Sequence, residues 1–349
     1  MPSDSALLGC THQGQTYTCN AGLPLAAGDI LTIPSAVTII NIIGDFTTGD
    51  GGQINADGDA SKLSINVTGN TKLGANSTLH ANLTGGGIVI TGSNSHVIGD
   101  ITTIAGVVTI GNNSTLTGKI KTDSAAINVG DDSTVTGDIT TTVAGVVSIG
   151  DRSTLNGNIS TTSGAINVGD ASTINGSILT TLAGAITLGT NVKITGNVAT
   201  TYQGSVIGAG AIVIGGGSQI GGSVTTNTGA VTIASSTKVD GNVATNDGAI
   251  TVEASAEIGG AVCTGNSGAI TIGADAKVEG SIETAKAGAI TVGTRAEVGG
   301  SVTVKQAGAK TIVDDAIIHN NVTANGKCPN GKVTYPKIQS RQWRQIFMH

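Results

Sequence analysis

Short runs of alternating apolar and polar residues repeat along most of the chain. One copy of the repeat begins at Gly157 and ends at Asn175, and Gly176 begins the next copy. The three alternating runs of this copy are residues 158–161, 165–168 and 172–175, with glycine at the breaks between them. Alternation in steps of two is the pattern of a β-strand with one buried face. The pattern therefore predicts three short strands in each copy.

The repeat keeps nearly the same length over most of the chain. Successive copies begin at intervals of 19 or 20 residues, with one longer interval of 26. The first glycines of these copies are Gly99, Gly118, Gly137, Gly157, Gly176, Gly196, Gly222, Gly241, Gly260, Gly280 and Gly300. Such a period matches one coil of a parallel β-solenoid, whose coils stack about 4.8 Å apart. We predict an all-β fold, a parallel β-solenoid of about fifteen coils with capped ends.

The regularity of the repeat divides the chain into four parts. Residues 1–22 lie outside the repeat, residues 23–98 hold degenerate coils, and residues 99–322 hold regular coils. Residues 323–349 contain Pro329 and Pro336, which do not fit regular interior strands. Because an open coil exposes its core and unpaired strand edges, we expect the first and last parts to cap the solenoid.

The four cysteines of the chain predict covalent links at its ends. Cys10 and Cys19 bracket a short polar segment, where a disulfide would stabilise the cap by about 2–3 kcal/mol. A zinc site of Cys10, His12 and Cys19 is the alternative, although the spacing matches no standard ligand pattern. Cys263 lies at an outward-facing position of its coil, and Cys328 follows the last coil. A disulfide between these two would hold the last part of the chain, and free thiols or intermolecular bridges are the alternatives.

Stacking of equivalent residues predicts two polar rows. The first row contains Thr103, Thr122, Thr141, Thr161, Thr180, Thr200, Thr226, Thr245, Thr264 and Thr284. The second row contains Thr109, Asn128, Ser148, Asn167, Thr187, Thr232, Thr251, Thr271, Thr291 and Thr311. We interpret both rows as structural, with side chains hydrogen-bonded from coil to coil. The alternative is a flat face of exposed threonines that binds a glycan or ice, but the second row lacks the paired Thr-x-Thr of ice-binding solenoids.

Two other departures from the repeat are candidate contact sites. The copy from Gly196 to Gly221 carries extra residues and Tyr202, and we interpret it as a bulge or a partner contact. The end of the chain holds Trp343, Arg344, Ile346 and Phe347. One helical turn would cluster the aromatic and apolar members of this group. We expect the cluster to cover the last coil or to contact a neighbouring subunit.

The amino-acid composition bears mainly on the predicted function. The chain has 54 glycines, 2% aromatic residues and a formal net charge of −6. The acidic excess offers no basic surface for nucleic acid, and no apolar run reaches the roughly 20 residues that a membrane helix needs. We recognise no catalytic cluster, phosphate loop or calcium motif, and we expect neither enzymatic activity nor a cofactor.

The cysteines and the polar start of the chain predict its location. The sequence begins Met1-Pro-Ser-Asp without an apolar leader. Because disulfides persist in oxidising compartments, we expect an extracellular or cell-surface protein from which a signal peptide has been removed.

The repeat resembles that of the bactofilins. The stretch that carries this resemblance, residues 288–302, reads Gly-Ala-Ile-Thr-Val-Gly-Thr-Arg-Ala-Glu-Val-Gly-Gly-Ser-Val. Bactofilins are β-solenoids that polymerise end to end without a nucleotide, so this resemblance implies a homopolymer. Bactofilins are typically cytoplasmic, and the cysteines of this chain depart from that pattern.

Nearly the whole chain is similar to exported Gly/Asn/Thr-repeat proteins of Gram-negative bacteria linked to MSHA-type pilus biogenesis. The stretches that carry this similarity are residues 17–19, 31–33, 53–55, 63–67 and 340–347. The similarity implies a structural protein that forms filaments or a fibre associated with a pilus or cell surface. Its partners would be further copies of itself and pilus or cell-surface components. An adhesin that reads glycans through its Thr and Asn rows is the alternative.

Overall fold

A computed structural model describes residues 7, 9–200 and 210–320 of the 349-residue chain. The described residues form β-strands and one short 3-10 helix, Ala60–Lys62, with no α-helix among them. The chain packs as two compact units, residues 1–195 and 196–349. In each unit, every coil contributes one strand to each of three sheets. The predicted parallel β-solenoid with three strands per coil is confirmed.

The first unit contains nine coils. We call its sheets the first, second and third sheet, in the order in which each coil reaches them. The first sheet consists of Thr11–Gln13, Thr16–Cys19, Ile39–Ile42, Ser64–Val67, Asn82–Gly85, Ile101–Thr103, Ile120–Thr122, Ile139–Thr141, Ile159–Thr161 and Ile178–Thr180. The second consists of Leu23–Leu25, Phe46–Thr48, Thr71–Leu73, Val89–Thr91, Val108–Ile110, Ile127–Val129, Val147–Ile149, Ile166–Val168 and Ile186–Leu188. The third consists of Ile30–Leu31, Gln53–Ile54, Thr78–His80, His96–Ile98, Thr115–Thr117, Thr134–Thr136, Thr154–Asn156, Thr173–Ile174 and Lys193–Ile194.

The second unit contains six coils with the same order of sheets, so the two units together match the predicted number of about fifteen. Its first-sheet strands are Val198–Thr200, Val224–Thr226, Val243–Asp247, Val262–Ser267, Ile282–Thr284 and Val302–Val304. Its second-sheet strands are Ile212–Ile214, Val231–Ile233, Ile250–Val252, Ile270–Ile272, Ile290–Val292 and Lys310–Ile312. Its third-sheet strands are Gln219–Ile220, Lys238–Val239, Glu257–Ile258, Lys277–Val278, Glu297–Val298 and Ile317–Ile318.

Aliphatic side chains fill the inside of each coil and stack on their equivalents in the next coil. Ile139, for example, lies in register between Ile120 and Ile159, and all three are fully buried. In first- and second-sheet strands the two end residues point inward and the middle residue points outward. In three-residue third-sheet strands the middle residue points inward, as in Thr134–Thr136. The third sheet therefore presents two outward columns of side chains where the other sheets present one.

Corners of successive coils lie so close that several glycines have no room for a side chain. A Cβ at Gly164 would overlap the carbonyl oxygen of Gly145 in the preceding coil. The left-handed turn between the second and third sheets lies instead on residues such as Ala171 (φ 55°) and Arg152 (φ 54°). Close packing, rather than a positive φ, thus explains the glycine at position 164.

We expect Gly164→Ala to lower the free energy of unfolding by at least about 2 kcal/mol, because the backbone of the preceding coil must shift. Chemical denaturation followed by far-UV circular dichroism measures this change. Gly216→Ala is the matched control, because a Cβ there meets only the Ser235 carbonyl oxygen at 3.1 Å. Equal stability of the two variants would contradict the interpretation.

Candidate functional site

The first coil of the first unit has a closed end. Cys10 and Cys19 form a disulfide with their Cα atoms 4.2 Å apart, which confirms that predicted pairing. The zinc alternative is wrong, because bonded sulfurs are not available as thiolate ligands. His12 instead stacks on Tyr17, with ring centroids 4.3 Å apart. A disulfide of this kind is typical of oxidising compartments outside the cytoplasm.

The closed end protects the core and part of the strand edge. The strand Thr11–Gln13 pairs antiparallel with Thr16–Cys19, the first strand of the first coil. The inward residues of the coil, Leu23, Leu25 and Leu31, are all buried. Pro24 lies in an edge strand, where the missing N–H prevents it from donating to an added strand.

We call the last described coil of the second unit the open coil, because its inward side chains are less buried than those of the coils before it. The inward residues of the preceding coil, Ile282, Ile290 and Val298 among them, are fully buried. Their counterparts in the last coil are less covered, since Ile312 and Ile318 are only half-buried. The residues that we expected to cover this coil lie outside the part of the chain that the structure describes, so the hydrophobic plug stays a prediction.

Lys310 is the polar exception in the open coil. It stands in register with Ile290, at an inward position, and it is exposed. Its Nζ atom lies 3.5 Å from the carbonyl oxygen of Val302. A charge at this position opposes the addition of a further coil unless an acceptor faces it.

The first threonine row faces inward and does not form the coil-to-coil ladder that we expected. Each member is at most 2% exposed. Thr161 shows the common contact, in which the hydroxyl donates to the carbonyl oxygen of Gly164 at 2.7 Å. Thr122 makes the same bond to the Ala125 carbonyl oxygen at 2.8 Å. Most members of the row thus bond to the corner of their own coil.

In the second unit, Thr226 and Thr245 donate instead to corner carbonyl oxygens of the preceding coil, those of Gly210 at 2.9 Å and Gly229 at 3.2 Å. Thr200 also donates to Thr226 Oγ1 at 2.6 Å.

A true coil-to-coil ladder exists elsewhere, on serines that sequence reasoning did not select. At the corner between the second and third sheets, the backbone N–H of Ser114 donates to Ser133 Oγ at 3.2 Å. The N–H of Ser133 donates in turn to Ser153 Oγ at 3.1 Å. These serines are buried, and serine precedes six consecutive third-sheet strands of the first unit, a recurrence that could have revealed the ladder: Ser77, Ser95, Ser114, Ser133, Ser153 and Ser172.

The second row lies on the outer side of the second sheet. Thr187, Thr271 and Thr291 are exposed, and Thr232 and Thr251 are half-buried. Each is the middle residue of a strand, so its neighbours along the strand point inward. This sheet therefore presents single hydroxyls rather than pairs.

Paired outward side chains occur on the third sheet of the first unit. The pairs in four consecutive coils are Thr115 with Thr117, Thr134 with Thr136, Thr154 with Asn156, and Thr173 with Asn175. Members of a pair are two residues apart, about 6.7 Å, and coils repeat at about 4.8 Å. We call these eight residues the paired array. In the sequence, two of these pairs are visible as Thr-Leu-Thr and Thr-Val-Thr, which lie outside both predicted polar rows.

The paired array already contains hydrogen bonds between coils. Asn175 Nδ2 donates to Asn156 Oδ1 at 2.7 Å, and Asn156 Nδ2 lies 3.5 Å from Thr136 Oγ1. Beside the array, His96 Nδ1 is 2.5 Å from Thr115 Oγ1, and the His80 ring contacts that of His96. Burial lowers the pKa of His80, so this imidazole favours its neutral form.

Cys263 is buried, in contrast to the exposure expected from its outward position. It is 3% exposed, it packs with Ala244 and Ala261, and it is disulfide-bonded. The free-thiol alternative is therefore wrong for Cys263. Its predicted partner Cys328 lies outside the described residues, so the pairing itself stays a prediction.

Several other predicted residues also lie outside the part of the chain that the structure describes. These are Tyr202, Trp343, Arg344, Ile346 and Phe347. The roles predicted for them, and the domain boundaries after residues 22, 98 and 322, stay predictions.

The charged groups of the described residues form ion pairs and no metal cluster. Arg152 binds Asp132 of the preceding coil through two bonds of 2.7 Å and lowers the pKa of that carboxyl. Arg295 and Asp275 repeat this arrangement in the second unit. Within residues 7, 9–200 and 210–320, no group of three or more His, Cys, Asp and Glu side chains is placed to hold a metal ion. The same ranges contain no helix long and apolar enough to cross a membrane.

Comparison of the chain with protein-family models, with curated proteins and with solved structures found no match. The resemblances to bactofilins and to pilus-associated repeat proteins therefore remain predictions from the quoted residues.

We expect Thr161→Val to lower the free energy of unfolding by about 1–3 kcal/mol, because it leaves the Gly164 carbonyl oxygen without its donor. Thr187→Val is the matched control and should change stability by less than about 0.5 kcal/mol, because Thr187 is exposed. Denaturant titration of both variants measures the difference. A loss of the same size at Thr187 would argue against the buried hydrogen bond as the cause.

Proposed function

We propose that the protein is an extracellular structural protein that assembles end to end through its open last coil. The observation that carries this proposal is the difference between the two ends. The first coil is closed by a disulfide-linked hairpin, whereas the last described coil leaves Ile312 and Ile318 partly uncovered. Partly exposed aliphatic groups beside strand edges that pair with no further described strand favour association with another strand edge.

A second copy of the chain is the partner that fits this end. Two open coils can meet through the same surface, because a two-fold contact is self-complementary. Three strand edges, Val302–Val304, Lys310–Ile312 and Ile317–Ile318, would be covered together. Longer filaments would require the first coil to be uncovered as well, so the closed end favours pairs of chains as the assembly unit.

Lys310 weakens the contact between the open coils of two copies. Its ammonium group has to leave water when the open coils meet, and an acceptor such as Asp314 of the second copy would be needed to compensate. The association is therefore reversible and sensitive to salt.

We expect the purified full-length chain to double its mass with rising concentration, and Ile312→Lys to abolish this association by adding a second inward charge. Thr311→Lys is the matched control, because Thr311 is exposed on the outer side of the same strand. Lys310→Ile should strengthen association by at least about tenfold, because the desolvation cost is removed. Analytical ultracentrifugation and electron microscopy measure assembly and length. A wild-type chain that stays monomeric at high concentration would overturn the proposal.

A second candidate function is supported by the paired array. Regularly spaced hydroxyl and amide groups on a flat sheet suit the repeated hydroxyls of a polysaccharide, which favours an adhesin. Hydrogen bonds already formed between Asn156 and Asn175 keep these amides in fixed positions. Such preorganisation lowers the entropy cost of binding.

If the paired array binds glycans, Thr134→Lys should remove binding by obstructing both columns. Thr271→Lys, at an exposed position of the second sheet in the second unit, should leave binding unchanged. A glycan array and a whole-cell binding assay test the pair of variants. Equal binding by both variants would assign the adhesion to another surface or exclude it.

A further inference from the structure

The third sheet of the second unit carries an ordered pattern of charge on its outer side. Two columns of residues point outward, one from the first position of each strand and one from two positions further along. In consecutive coils the first column reads Gln219, Lys238, Glu257, Lys277, Glu297 and Ile317. The second column reads Gly221, Asp240, Gly259, Glu279, Gly299 and His319. We call the residues of these two columns the charged face.

The two central charges of the first column lack partners within the described residues. Glu257 and Lys277 stand in register on adjacent strands, and both are exposed. The ion pairs of residues 210–320 include neither of them. Coil-to-coil ion pairs do form in this unit where side chains meet, since Arg295 bonds to Asp275 of the preceding coil. The central charges are therefore free to bind an external group.

The outer charges of the first column already have neighbours of their own. Lys238 Nζ lies 3.8 Å from Asp240 Oδ1. Glu297 Oε1 lies 3.0 Å from His319 Nε2. A partner that binds the charged face therefore gains most from the central charges.

The order of charges is self-complementary when the column is reversed. A two-fold axis parallel to the strands reverses the coil order of a second copy and sets the first column against itself. With the axis midway between the coils of Glu257 and Lys277, each of these residues faces the other residue of the second copy. The same operation sets Lys238 against Glu297. Every charge of the first column then faces an opposite charge.

The second column fits the same arrangement. The axis sets Asp240 against Gly299 of the second copy. It also sets Glu279 against Gly259. No acid of this column therefore faces another acid.

The alternation of charge also fixes the register of such a contact. If the axis moved by half a coil spacing, Glu257 would face itself and Lys238 would face Lys277. Like charges that face each other across an interface are unfavourable. The axis therefore lies between coils rather than on one.

The area of the charged face limits the strength of the contact. Columns about 6.7 Å apart, over coils about 4.8 Å apart, cover on the order of 300 Å² on each copy. A stable complex buries about 800 Å² on each partner, so this contact is weak and forms at high protein concentration. Exposed ion pairs are screened by salt, so we expect association to depend on ionic strength.

We propose that the charged face is a docking surface for a second copy of the chain, whose second unit runs antiparallel to the first. Glu257 and Lys277 pair across the two-fold axis and fix the register. The contact lies on the side of the solenoid. It is separate from the end contact proposed above and does not depend on it.

The full-length chain with Ile312→Lys isolates the side contact, because this substitution removes the end contact. Sedimentation velocity at about 0.02 M salt should show a monomer–dimer equilibrium, and the dissociation constant should rise by about tenfold or more at about 0.3 M salt. A chain that stays monomeric at low salt, or that dimerises equally at both salt concentrations, overturns the proposal.

Single charge reversals in this background test the central pairs. Lys277→Glu and Glu257→Lys each set like charges against each other at both central positions, and each should weaken dimerisation by about tenfold or more. The two substitutions change the net charge in opposite directions, so a common loss cannot come from net charge. Lys286→Glu, at an exposed corner of the same unit, is the matched control and should dimerise like its parent. Dimerisation retained in either central variant would make the proposal wrong.

The double variant Lys277→Glu with Glu257→Lys separates contacts between copies from contacts within one column. It restores opposite charges across the axis, although it places like charges on adjacent strands beside Lys238 and Glu297. Dimerisation should therefore return to within about threefold of the parent, with circular dichroism confirming that each variant is folded. A double variant as weak as the single variants would show that the central pairs do not form between copies.

Cross-linking locates the contact directly. A carbodiimide joins carboxylates to amines that lie in contact, and a mixture of isotope-labelled and unlabelled chains marks the links between copies. The expected product is a mixed-isotope peptide pair that joins Glu257 to Lys277. Links of these residues within single chains only would overturn the proposal.

Discussion

In-register stacking of coils is the constraint on which this structure depends. A strand of two or three residues has almost no stability alone, and its backbone N–H and C=O groups find partners only in the neighbouring coils. Equivalent corners must then meet at every step, which leaves no room for a side chain at Gly164 and places a buried hydroxyl at Thr161. Extra residues are accommodated only between the paired strands, as in the 26-residue copy, across which Val198–Thr200 still pairs in register with Val224–Thr226.

Outward-facing side chains do not have to fit between stacked coils, and the two units differ in these side chains. The third sheet of the first unit presents the paired array of Thr and Asn. The corresponding column in the second unit alternates in charge, through Lys238, Glu257, Lys277 and Glu297. Opposite charges on adjacent strands attract each other, so both columns are compatible with stacking. Differences in function are therefore expected on the outer columns and at the ends of the units rather than in the core.

The features of the two ends have a common physical origin. A solenoid always produces terminal coils with unpaired edges, and each must be covered, protected or used for assembly. The first coil is covered by a hairpin and carries Pro24 in an edge strand. The last described coil carries Lys310 at an inward position, where a charge opposes the addition of a further coil.

The sequence by itself determined the repeat length, the three strands per coil, the aliphatic core and the Cys10–Cys19 disulfide, since these follow from local alternation and spacing. Only the tertiary structure decided which polar side chains are buried and what they contact. Thr161 has the same parity as Ile159 and faces inward, where its hydroxyl donates a hydrogen bond to the Gly164 carbonyl oxygen at the corner. Cys263 has outward parity but is buried, and it packs with Ala244 and Ala261. Alternation tells which residues share a side of a strand, whereas burial depends on what packs against that side, and this is a property of the folded chain.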